Sequence, residues 1–463
     1  MCDFIFSLPR RGNRMVLKNT RIDSFSGSCG TFDEIRFKLE LNDDWIVTNV
    51  TSFRGPGTGP EGWMRYSLGT TAVGIEPRND ITYRCPGCGN PASLKQMYVR
   101  NLHHLRGYGF DTILRVRIPQ IRCRMCGIEP RLPFPLARKG VSYTVEFEKW
   151  VMRLLLDDTV AETSRKTSVG SWIIWDILFF RVDMVLPRMD LRDVRMITID
   201  ETSFRRNHDY VTIVTDQFRR LIFMCRGNSS DAVRQFTVWL AEHNGNADSI
   251  EVVCADMSVN YESGVNQFLP NAELVFDKFH VFKMLNDDMN NIRKTAMRQM
   301  SVKNRHALSR IRFTVFRHEG EMGDIDLERL EKIRMINPHL ALAYDMKEAF
   351  FRIYEQSCKE AALEYFHQWH DWVMEEGCRV LRVRAEKLCK KIDRILSWYD
   401  HPMTNGFAEG LNSRIQKIRS ESCGFTNVDN FIRLCYYKLG GLTMDFSGSD
   451  GGALSSSESN GVR

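Results

Sequence analysis

The sequence predicts a mixed α/β protein with a long all-helical block, and three observations lead to this fold class. Three β-branched or apolar segments, "VRMITID", "DYVTIVTD" and "RRLIFMCRG", follow one another closely, and each ends in a turn residue, as consecutive strands do. The next segments alternate between helical and strand patterns: "SSDAVRQFTVWLAEHN", "SIEVVCAD", "SVNYESGVNQFL" and "AELVFD". From about Phe279 to Tyr399 nearly every segment has helical periodicity. The order β-β-β-α-β-α-β therefore predicts a mixed α/β unit that is followed by helices alone.

The N-terminal part of the chain carries weaker signals. "FDEIRFKLEL" alternates in the manner of a strand, and "DDWIVTNVTSF" predicts another strand before the Gly/Pro-rich loop "RGPGTGPEG". Beyond the Pro-rich "PRLPFPLARKG" the pattern is helical from Tyr143 to about Arg181. At the other end, the Gly/Ser-rich "SGSDGGALSSSESNGVR" predicts a disordered tail.

Composition and charge narrow the class of protein. Of 463 residues, 43% are hydrophobic and 26% are charged, which is ordinary for a globular protein. The chain has no apolar run of about 18 residues and no signal-peptide pattern at its start, so a cytosolic protein is expected. In a cytosolic chain, patterned cysteines favour metal binding over disulfides.

Two Cys-x2-Cys pairs predict a structural zinc site. Cys85 and Cys88 form one pair, Cys123 and Cys126 form the other, and 34 residues separate the pairs. Each pair can direct two thiolates at one ion, and two pairs complete a tetrahedral four-sulfur site. The alternative is a set of free thiols or separate redox motifs, but neither pair lies in a thioredoxin-like βαβ context.

The helical segment after the cysteine pairs resembles a helix-turn-helix. Its last two helices are predicted over Val160–Lys166 and Gly170–Arg181, and residues 84–181 hold 16 Lys/Arg against 8 Asp/Glu. In this interpretation the second helix enters a DNA major groove. In the alternative, the segment is a helical spacer whose two tryptophans are core residues, and for the tryptophans the apolar pattern favours that alternative. The residues predicted to face DNA are Arg165, Lys166, Ser171 and Trp172, and the second tryptophan is Trp175.

A late helix is predicted by "HPMTNGFAEGLNSRIQKIRS". Glu409 lies on its polar side, beside Asn412, Ser413 and Gln416. Taken alone, an acid at such a position is most often a solvated surface residue. The apolar stripe of the helix consists of Phe407, Leu411, Ile415 and Ile418.

Two further acids stand at the ends of predicted strands and change the interpretation of Glu409. Asp200 ends "MITID" and Asp256 ends "VVCAD". Carboxylates held rigidly at strand ends suit Mg²⁺ or Mn²⁺, and two such ions serve phosphodiester chemistry. Any one of these acids could instead be a turn or cap residue. A three-strand meander, helix, strand and late helix is, however, the arrangement of an RNase H-like fold, in which three such acids converge.

Five motifs lie in a fixed order: "CPGCG", "RCRMCG", "ITIDETSFRRNHDYVTIVTD", "CADMSVNYESGVNQFLPNAELVFDKFHVFKMLN" and "TNGFAEGLNSRIQKIRSESCGFTNVDNFIRL". Together they cover about residues 43 to 440 and resemble the ISL3-type insertion-sequence transposases of bacteria, a family of DDE enzymes. The resemblance implies that Asp200, Asp256 and Glu409 are the catalytic acids. It also places Asp277 and His280 of "DKFH" near the site as supporting residues, and implies an all-helical insertion before Glu409.

The resemblance implies a DNA transposase that binds terminal inverted repeats and catalyses metal-dependent end cleavage and strand transfer. The implied cofactors are two Mg²⁺ or Mn²⁺ ions and a structural Zn²⁺, and the implied partner is double-stranded DNA bound by a homodimer or higher oligomer in the bacterial nucleoid. Two alternatives remain: a non-catalytic DNA-binding regulator derived from a transposase, and a zinc-ribbon RNase H-like nuclease that acts on RNA.

These observations divide the chain into seven predicted segments. The predicted segments are a leader of unknown role (1–42), a β segment (43–82), a zinc-binding ribbon (83–130), a helix-turn-helix-like domain (141–182), an RNase H-like catalytic domain (194–300 and 400–440), a helical insertion (301–399) and a disordered tail (441–463).

Overall fold

A computed structural model describes most of the chain, with gaps. The first 29 residues, the Gly/Pro-rich loop and the Gly/Ser-rich tail lie outside the described residues, as does the side chain of Glu409. The predictions made for those parts stay predictions. The described residues are 30–54, 69–107, 109–205, 209–227, 229–308, 311–402, 406–422 and 424–446.

The chain divides into two compact units, residues 1–177 with 446–463 and residues 178–445. In the first unit a four-stranded sheet has the order β1-β2-β4-β3. Strands β2 and β4 are parallel, and the two outer pairs are antiparallel. The strands are β1 (Trp45–Arg54), β2 (Gly69–Pro77), β3 (Ser93–Gly107) and β4 (Phe110–Arg122).

A helix, α1 (Gly30–Lys38), precedes this sheet, so the strand predicted for "FDEIRFKLEL" is wrong. The segment places Phe32, Ile35 and Leu39 against the core of the sheet, whereas Phe37 is 82% exposed. These contacts have the three-to-four-residue period of a helix. In so short a segment, a helical pattern and an alternating pattern place polar residues at many of the same positions, so the alternation wrongly indicated a strand.

Three helices complete the first unit and lead into the second. They are α2 (Val145–Asp157), α3 (Val160–Thr167) and α4 (Ser171–Val185). The hydroxyl oxygens of Thr144 and Thr159 accept backbone N–H bonds and cap the starts of α2 and α3. Ser168, in the left-handed conformation at φ 58°, ends α3 and begins the turn to α4.

The second unit is built on a five-stranded sheet of order β7-β6-β5-β8-β9. The first three strands in sequence form an antiparallel meander, and β8 and β9 pair parallel with β5 and with each other. The predicted order β-β-β-α-β-α-β is confirmed. The strands are β5 (Met196–Arg205), β6 (Asp209–Asp216), β7 (Leu221–Arg226), β8 (Val252–Ala255) and β9 (Glu273–Phe276).

Helices follow β9 for more than a hundred residues, as predicted. No helix among the described residues is both long and apolar enough to span a membrane. The helices of this unit are α5 (Ser230–Glu242), α6 (Val259–Phe268), α7 (Lys278–Gln299), α8 (Val302–Ala307), α9 (Asp324–Ile336), α10 (Pro338–Phe351), α11 (Lys359–Glu376), α12 (Arg379–Cys389), α13 (Ile392–Leu396), α14 (Gly406–Glu421) and α15 (Val428–Leu439).

The helical block returns to the edge of the sheet that it left. His401 Nε2 lies 3.0 Å from a carboxylate oxygen of Glu273 in β9. Lys391, just before α13, donates to the Met257 carbonyl at 3.2 Å and to Glu262 of α6 at 2.8 Å. The two ends of the block are thus held beside the same part of the sheet.

Candidate functional site

Three acids lie where the parallel strands of the second unit stop pairing. In the register of these strands, Ile199 of β5 faces Ala255 of β8, which in turn faces Phe276 of β9. The residue after each of these positions is an aspartate. Because parallel strands in register end at one edge of a sheet, the three acids come from neighbouring strands at that edge. They are Asp200, Asp256 and Asp277.

Asp200 is the most enclosed of the predicted catalytic acids whose side chains are described. It is only 5% exposed, between Thr198 and Thr202 on the polar face of β5. One of its oxygens accepts the backbone N–H of Glu201 at 2.7 Å. Asp256 is half-buried and accepts the backbone N–H of Ser258 at 2.9 Å.

The electrostatics of the three strand ends are coupled. Burial raises the pKa of Asp200 to about 6, the charge of His280 opposes this rise, and Asp256 and Asp277 add to it. Asp277 accepts a hydrogen bond from His280 Nδ1 at 2.8 Å, and this bond raises the pKa of His280. Asp277 also caps α7 by accepting the Phe279 N–H at 3.2 Å. Asp277 therefore holds His280 in the field of Asp200 and favours the protonated form of its ring.

Helix α14 is joined to β5 by a ladder of side chains. Asn412 Nδ2 donates to the second carboxylate oxygen of Asp200, and one turn later Gln416 Nε2 donates to the hydroxyl oxygen of Thr202. Arg419 donates to the carbonyl and hydroxyl oxygens of Ser203. The apolar stripe of α14 is buried as predicted at its described positions Leu411, Ile415 and Ile418.

Two features of this site fit a divalent cation. The first is the side-chain amide oxygen of Asn412, Oδ1, which is buried and has no hydrogen-bond partner among the described residues. The second is the buried carboxylate of Asp200. A nearby cation or its bound water would satisfy that oxygen and would offset the burial of the Asp200 charge. The strand-end carboxylates are nevertheless not gathered into a tight cluster. Within the described part of the chain, only the four paired cysteines form a group of three or more residues whose ligand atoms all lie within 4.8 Å of one another.

The cysteines of the two Cys-x2-Cys pairs form that cluster. Sγ of Cys85 lies 3.4 Å from Sγ of Cys126, and Sγ of Cys88 lies 3.5 Å from Sγ of Cys123. A zinc ion with Zn–S bonds of about 2.3 Å would hold its sulfurs about 3.8 Å apart. The donor set and its spacing therefore fit Zn²⁺.

Each pair of cysteines sits in a short backbone loop that the chain closes by itself. Gly89 donates its N–H to the Cys85 carbonyl at 2.8 Å, and Gly127 donates to that of Cys123 at 3.1 Å. Both glycines have positive φ, 74° and 72°, a conformation that side chains disfavour. The two loops are thus local copies of one motif at the ends of β3 and β4.

The residues predicted to face DNA lie around the turn from α3 to α4. Ser171 and Arg165 are exposed, and Trp172 is 69% exposed, so the interpretation of Trp172 as a core residue is wrong. Among the described residues the Trp172 ring is thus mostly uncovered, whereas Trp175 is half-buried. Arg165 pairs with Glu162, and Lys166 pairs with Asp158 at 2.7 Å.

Sequence reasoning noted Asn412 and Gln416 only as polar neighbours of Glu409. The structure gives both residues direct contacts with β5, and the signal for them was their three- and seven-residue spacing from Glu409. By contrast Glu421, at the end of α14, is exposed and lies 3.6 Å from Lys417.

Comparison with protein families gives three matches in order along the chain. A model described as a transposase, of the ISL3 type, matches residues 197–435. A helix-turn-helix domain of transposase family ISL3 matches residues 132–178. A zinc finger of the transposases IS204, IS1001, IS1096 and IS1165 matches residues 82–126, which include all four paired cysteines, and supports a structural zinc ion there.

Full-length relatives agree with these matches. The transposase for insertion sequence element IS1001 of Bordetella parapertussis is 23% identical over 399 residues, which cover 84% of this chain and 97% of that protein. The transposase for insertion sequence element IS1557 of Mycobacterium tuberculosis is 23% identical over 408 residues, which cover 79% of this chain and 88% of that protein.

Proposed function

The chain belongs to the ISL3 family of transposases, and we propose that it binds the terminal inverted repeats of an insertion sequence, cleaves the DNA ends and joins them to target DNA. The observation that carries the chemistry is the alignment of Asp200 and Asp256 on adjacent strand ends, with α14 bonded to the first of them. The DNA substrate implies action at the nucleoid. Because two element ends must be processed together, we propose a dimer or higher oligomer on DNA.

We propose an RNase H-like fold for the catalytic unit. Its support is the sheet order, in which a three-strand antiparallel meander is extended by two parallel strands on the side of the first strand. The chain then leaves the sheet through the helical block and returns as α14. In this fold the first acid stands on the central strand, as Asp200 does in β5.

We propose that Asp200, Asp256 and Glu409 hold two Mg²⁺ or Mn²⁺ ions. Such a pair of ions would activate a water or 3′-hydroxyl nucleophile and stabilise the leaving oxygen. The support for Glu409 is its position in α14, three residues before Asn412, because residues three apart share one side of a helix. Asn412 orients the Asp200 carboxylate, and Asp277 holds His280 beside it.

We propose that the first unit recognises the inverted repeats. The support is the helix-turn-helix match and the exposed Ser171 and Trp172 at the start of α4. DNA phosphates would replace the acidic partners of Arg165 and Lys166, so binding should fall steeply with salt.

The test is an end-cleavage and strand-transfer assay on the element's own terminal DNA. Asp200→Asn, Asp256→Asn and Glu409→Gln should each lower cleavage by a factor of about 1,000 or more, because several kcal/mol of charge stabilisation are lost. DNA binding should persist in each variant. Glu421→Gln is the matched control on the same helix and should cleave normally.

The same assay separates the alternatives. A wild-type chain that binds end DNA but never cleaves it with Mg²⁺ or Mn²⁺ would be a regulator. Preferred cleavage of RNA would indicate the nuclease. If Glu421→Gln abolishes cleavage and Glu409→Gln does not, the third acid has been placed wrongly.

A further inference from the structure

A long stretch of positive charge without acids lies in the helical block, outside the helix-turn-helix. Residues 289–318 contain eight Lys and Arg and no Asp or Glu. This local excess is larger than the net charge of +6 of the whole chain. The segment comprises the second half of α7, α8 and the 3-10 turn Thr314–Phe316. Composition alone does not distinguish a solvated surface from a binding surface. The structure shows which of these charges are exposed and which are paired.

Four cations of this segment are exposed and have no ion-pair partner among the described acids. In the described part of the chain, none of the four lies within ion-pair distance of an acid, and all four are exposed. Other cations of the block differ in this respect: Arg317 pairs with Asp326, and Arg384 pairs with Asp288. The four, defined here as the basic surface, are Lys294, Arg298, Lys303 and Arg312.

These charges lie along α7 and in the two segments that follow it. Lys294 and Arg298 are four residues apart on α7 and so occupy one side of that helix. Lys303 follows in α8, directly after α7 ends. Arg312 lies close enough to α7 that its charge, after burial, lowers the pKa of Arg293. Like charges held together without acids repel one another, and a polyanion relieves this repulsion.

An exposed aromatic ring adjoins the basic surface. Phe313 is 67% exposed, and the guanidinium of Arg312 lies 5.8 Å from the centre of its ring. An exposed Phe beside Arg can stack on a base or lie in a groove. Positive charges with an adjacent aromatic ring are the composition of a nucleic-acid contact.

We propose that the basic surface binds the phosphate backbone of double-stranded DNA independently of its sequence. The inference rests on the proposed function, because a transposase must hold DNA at its catalytic unit as well as at its end-recognition unit. Backbone contacts fix the position of a duplex and carry no sequence information. Inverted-repeat and scrambled duplexes should therefore gain equally from this surface.

The test measures the salt dependence of DNA binding by the full-length chain. Combining Lys294→Ala, Arg298→Ala, Lys303→Ala and Arg312→Ala should reduce the slope of log affinity against log salt by about 3 to 4, since each lost phosphate contact removes about 0.9. The reduction should be the same for inverted-repeat and scrambled duplexes. Phe313→Ala should weaken binding without changing the slope.

Two substitutions that each remove one positive charge supply the matched control. Lys303→Ala should lower the slope by about 0.9, whereas Lys332→Ala should not. Lys332 is an exposed lysine of α9 in the same helical block, with Glu328 at 4.0 Å.

Failure of this inference and failure of the proposed function give different results. If the fourfold variant keeps the wild-type melting temperature and the wild-type slope, the basic surface does not contact DNA, whatever the enzyme cleaves. If the fourfold variant loses slope but the wild type never cleaves end DNA, the surface stands and the transposase activity does not. An unchanged affinity in Phe313→Ala would overturn the aromatic contact alone.

Discussion

The cysteine cluster and the strand-end acids are both predicted metal sites, and the chain assembles them in opposite ways. Each Cys-x2-Cys loop is closed by its own backbone hydrogen bonds, and the four sulfurs already lie together. The acids come from separate strands, and hydrogen bonds hold Asp200 and Asp256 individually. Thiols are mostly neutral at pH 7 and tolerate crowding, whereas carboxylates repel one another until a cation joins them. Thiols that lose their protons when the metal binds can thus be brought together locally, whereas carboxylates that are already charged depend on the rest of the fold.

The largest effect should follow from breaking the local site. Cys85→Ser or Cys123→Ser should reduce zinc from about one ion per chain to none and unfold the first unit, because zinc binding of about 10–16 kcal/mol is folding free energy in such modules. Metal analysis and limited proteolysis check this result, with the second unit expected to stay resistant. Cys358→Ser, at an exposed cysteine outside the cluster, is the control. Unchanged zinc content in the cluster variants would contradict the assignment.

Removing the Asp200 carboxylate should increase the stability of the protein, and not lower it, when no divalent cation is added. The pKa of Asp200 rises from 3.8 to about 6 on folding because the carboxyl is buried. The folded chain therefore keeps a proton that the unfolded chain has lost, and stability falls as the pH rises from about 4 to about 6. Asp200→Asn removes this penalty of about 3 kcal/mol and keeps one oxygen for the Glu201 N–H, but it loses about 1 kcal/mol with the acceptor of the Asn412 bond.

We therefore expect Asp200→Asn to stabilise the second unit by about 2 kcal/mol at pH 7.5, and the gain to vanish near pH 4. Thermal unfolding at several pH values measures it. Added Mn²⁺ should raise the melting temperature of the wild type but not that of the variant. Asp287→Asn, at an exposed acid of α7, should change neither quantity. A variant less stable than the wild type at pH 7.5 would show that Asp200 is held mainly by its hydrogen bonds.

A smaller effect should come from the residue that positions Asp200. Asn412→Ala removes a hydrogen bond to a charged group, worth about 1.5–3 kcal/mol, and should reduce cleavage about tenfold or more. Because a positioning role also affects metal binding, a higher Mn²⁺ concentration should restore part of the rate. Gln416→Ala, whose bond goes to Thr202, should lower stability by about 1 kcal/mol and leave the Mn²⁺ dependence unchanged. Equal metal dependence in both variants would make Asn412 purely structural.

The smallest effect on stability is expected in the first unit, at Trp172. Since its side chain is 69% exposed, Trp172→Ala should change the free energy of unfolding by less than about 0.5 kcal/mol. Binding to end DNA should weaken about tenfold if the ring contacts a base, as groove contacts of about 1–3 kcal/mol do. Trp175→Ala, at the half-buried neighbour, should lose more stability. Gel retardation and thermal unfolding of the two variants check the difference, and unchanged end binding in Trp172→Ala would remove it from the interface.

The sequence predicts most of the second unit because local and long-range signals agree there. The strands β5 to β9 are β-branched, apolar and bounded by turn residues, and each falls where the pattern places it. In α1 the signals conflict, because the short segment fits alternation and helical spacing alike, and only packing against the sheet selects the helix. Trp172 is misjudged for a related reason: an aromatic residue in an apolar helix favours burial, but the described residues leave most of this side chain exposed.

The two predicted sites also differ in what the sequence can say about them. The cysteine spacing is a local property, so the ligands are visible in the motif itself. The link between Asn412 and Asp200 depends on how α14 docks beside β5, which no window of sequence contains. The charges of the basic surface were present in the sequence, but that they lack acidic partners is a tertiary property.

The return of the helical block to the edge of the sheet has a consequence for chain connectivity. Its two ends meet beside β9, where His401 contacts Glu273, so the whole block behaves as one closed excursion. Closure entropy grows only with the logarithm of length, about 0.6 kcal/mol for each doubling, so an excursion of over a hundred residues exceeds a ten-residue one by only about 2 kcal/mol. Related chains can therefore lengthen or shorten the block by tens of residues at little expense. A slip of one residue in the register of β5 and β8 would instead turn Asp200 to the opposite face. Distance along the chain is thus a poor guide to the third acid, and strand register is a good guide to the first two.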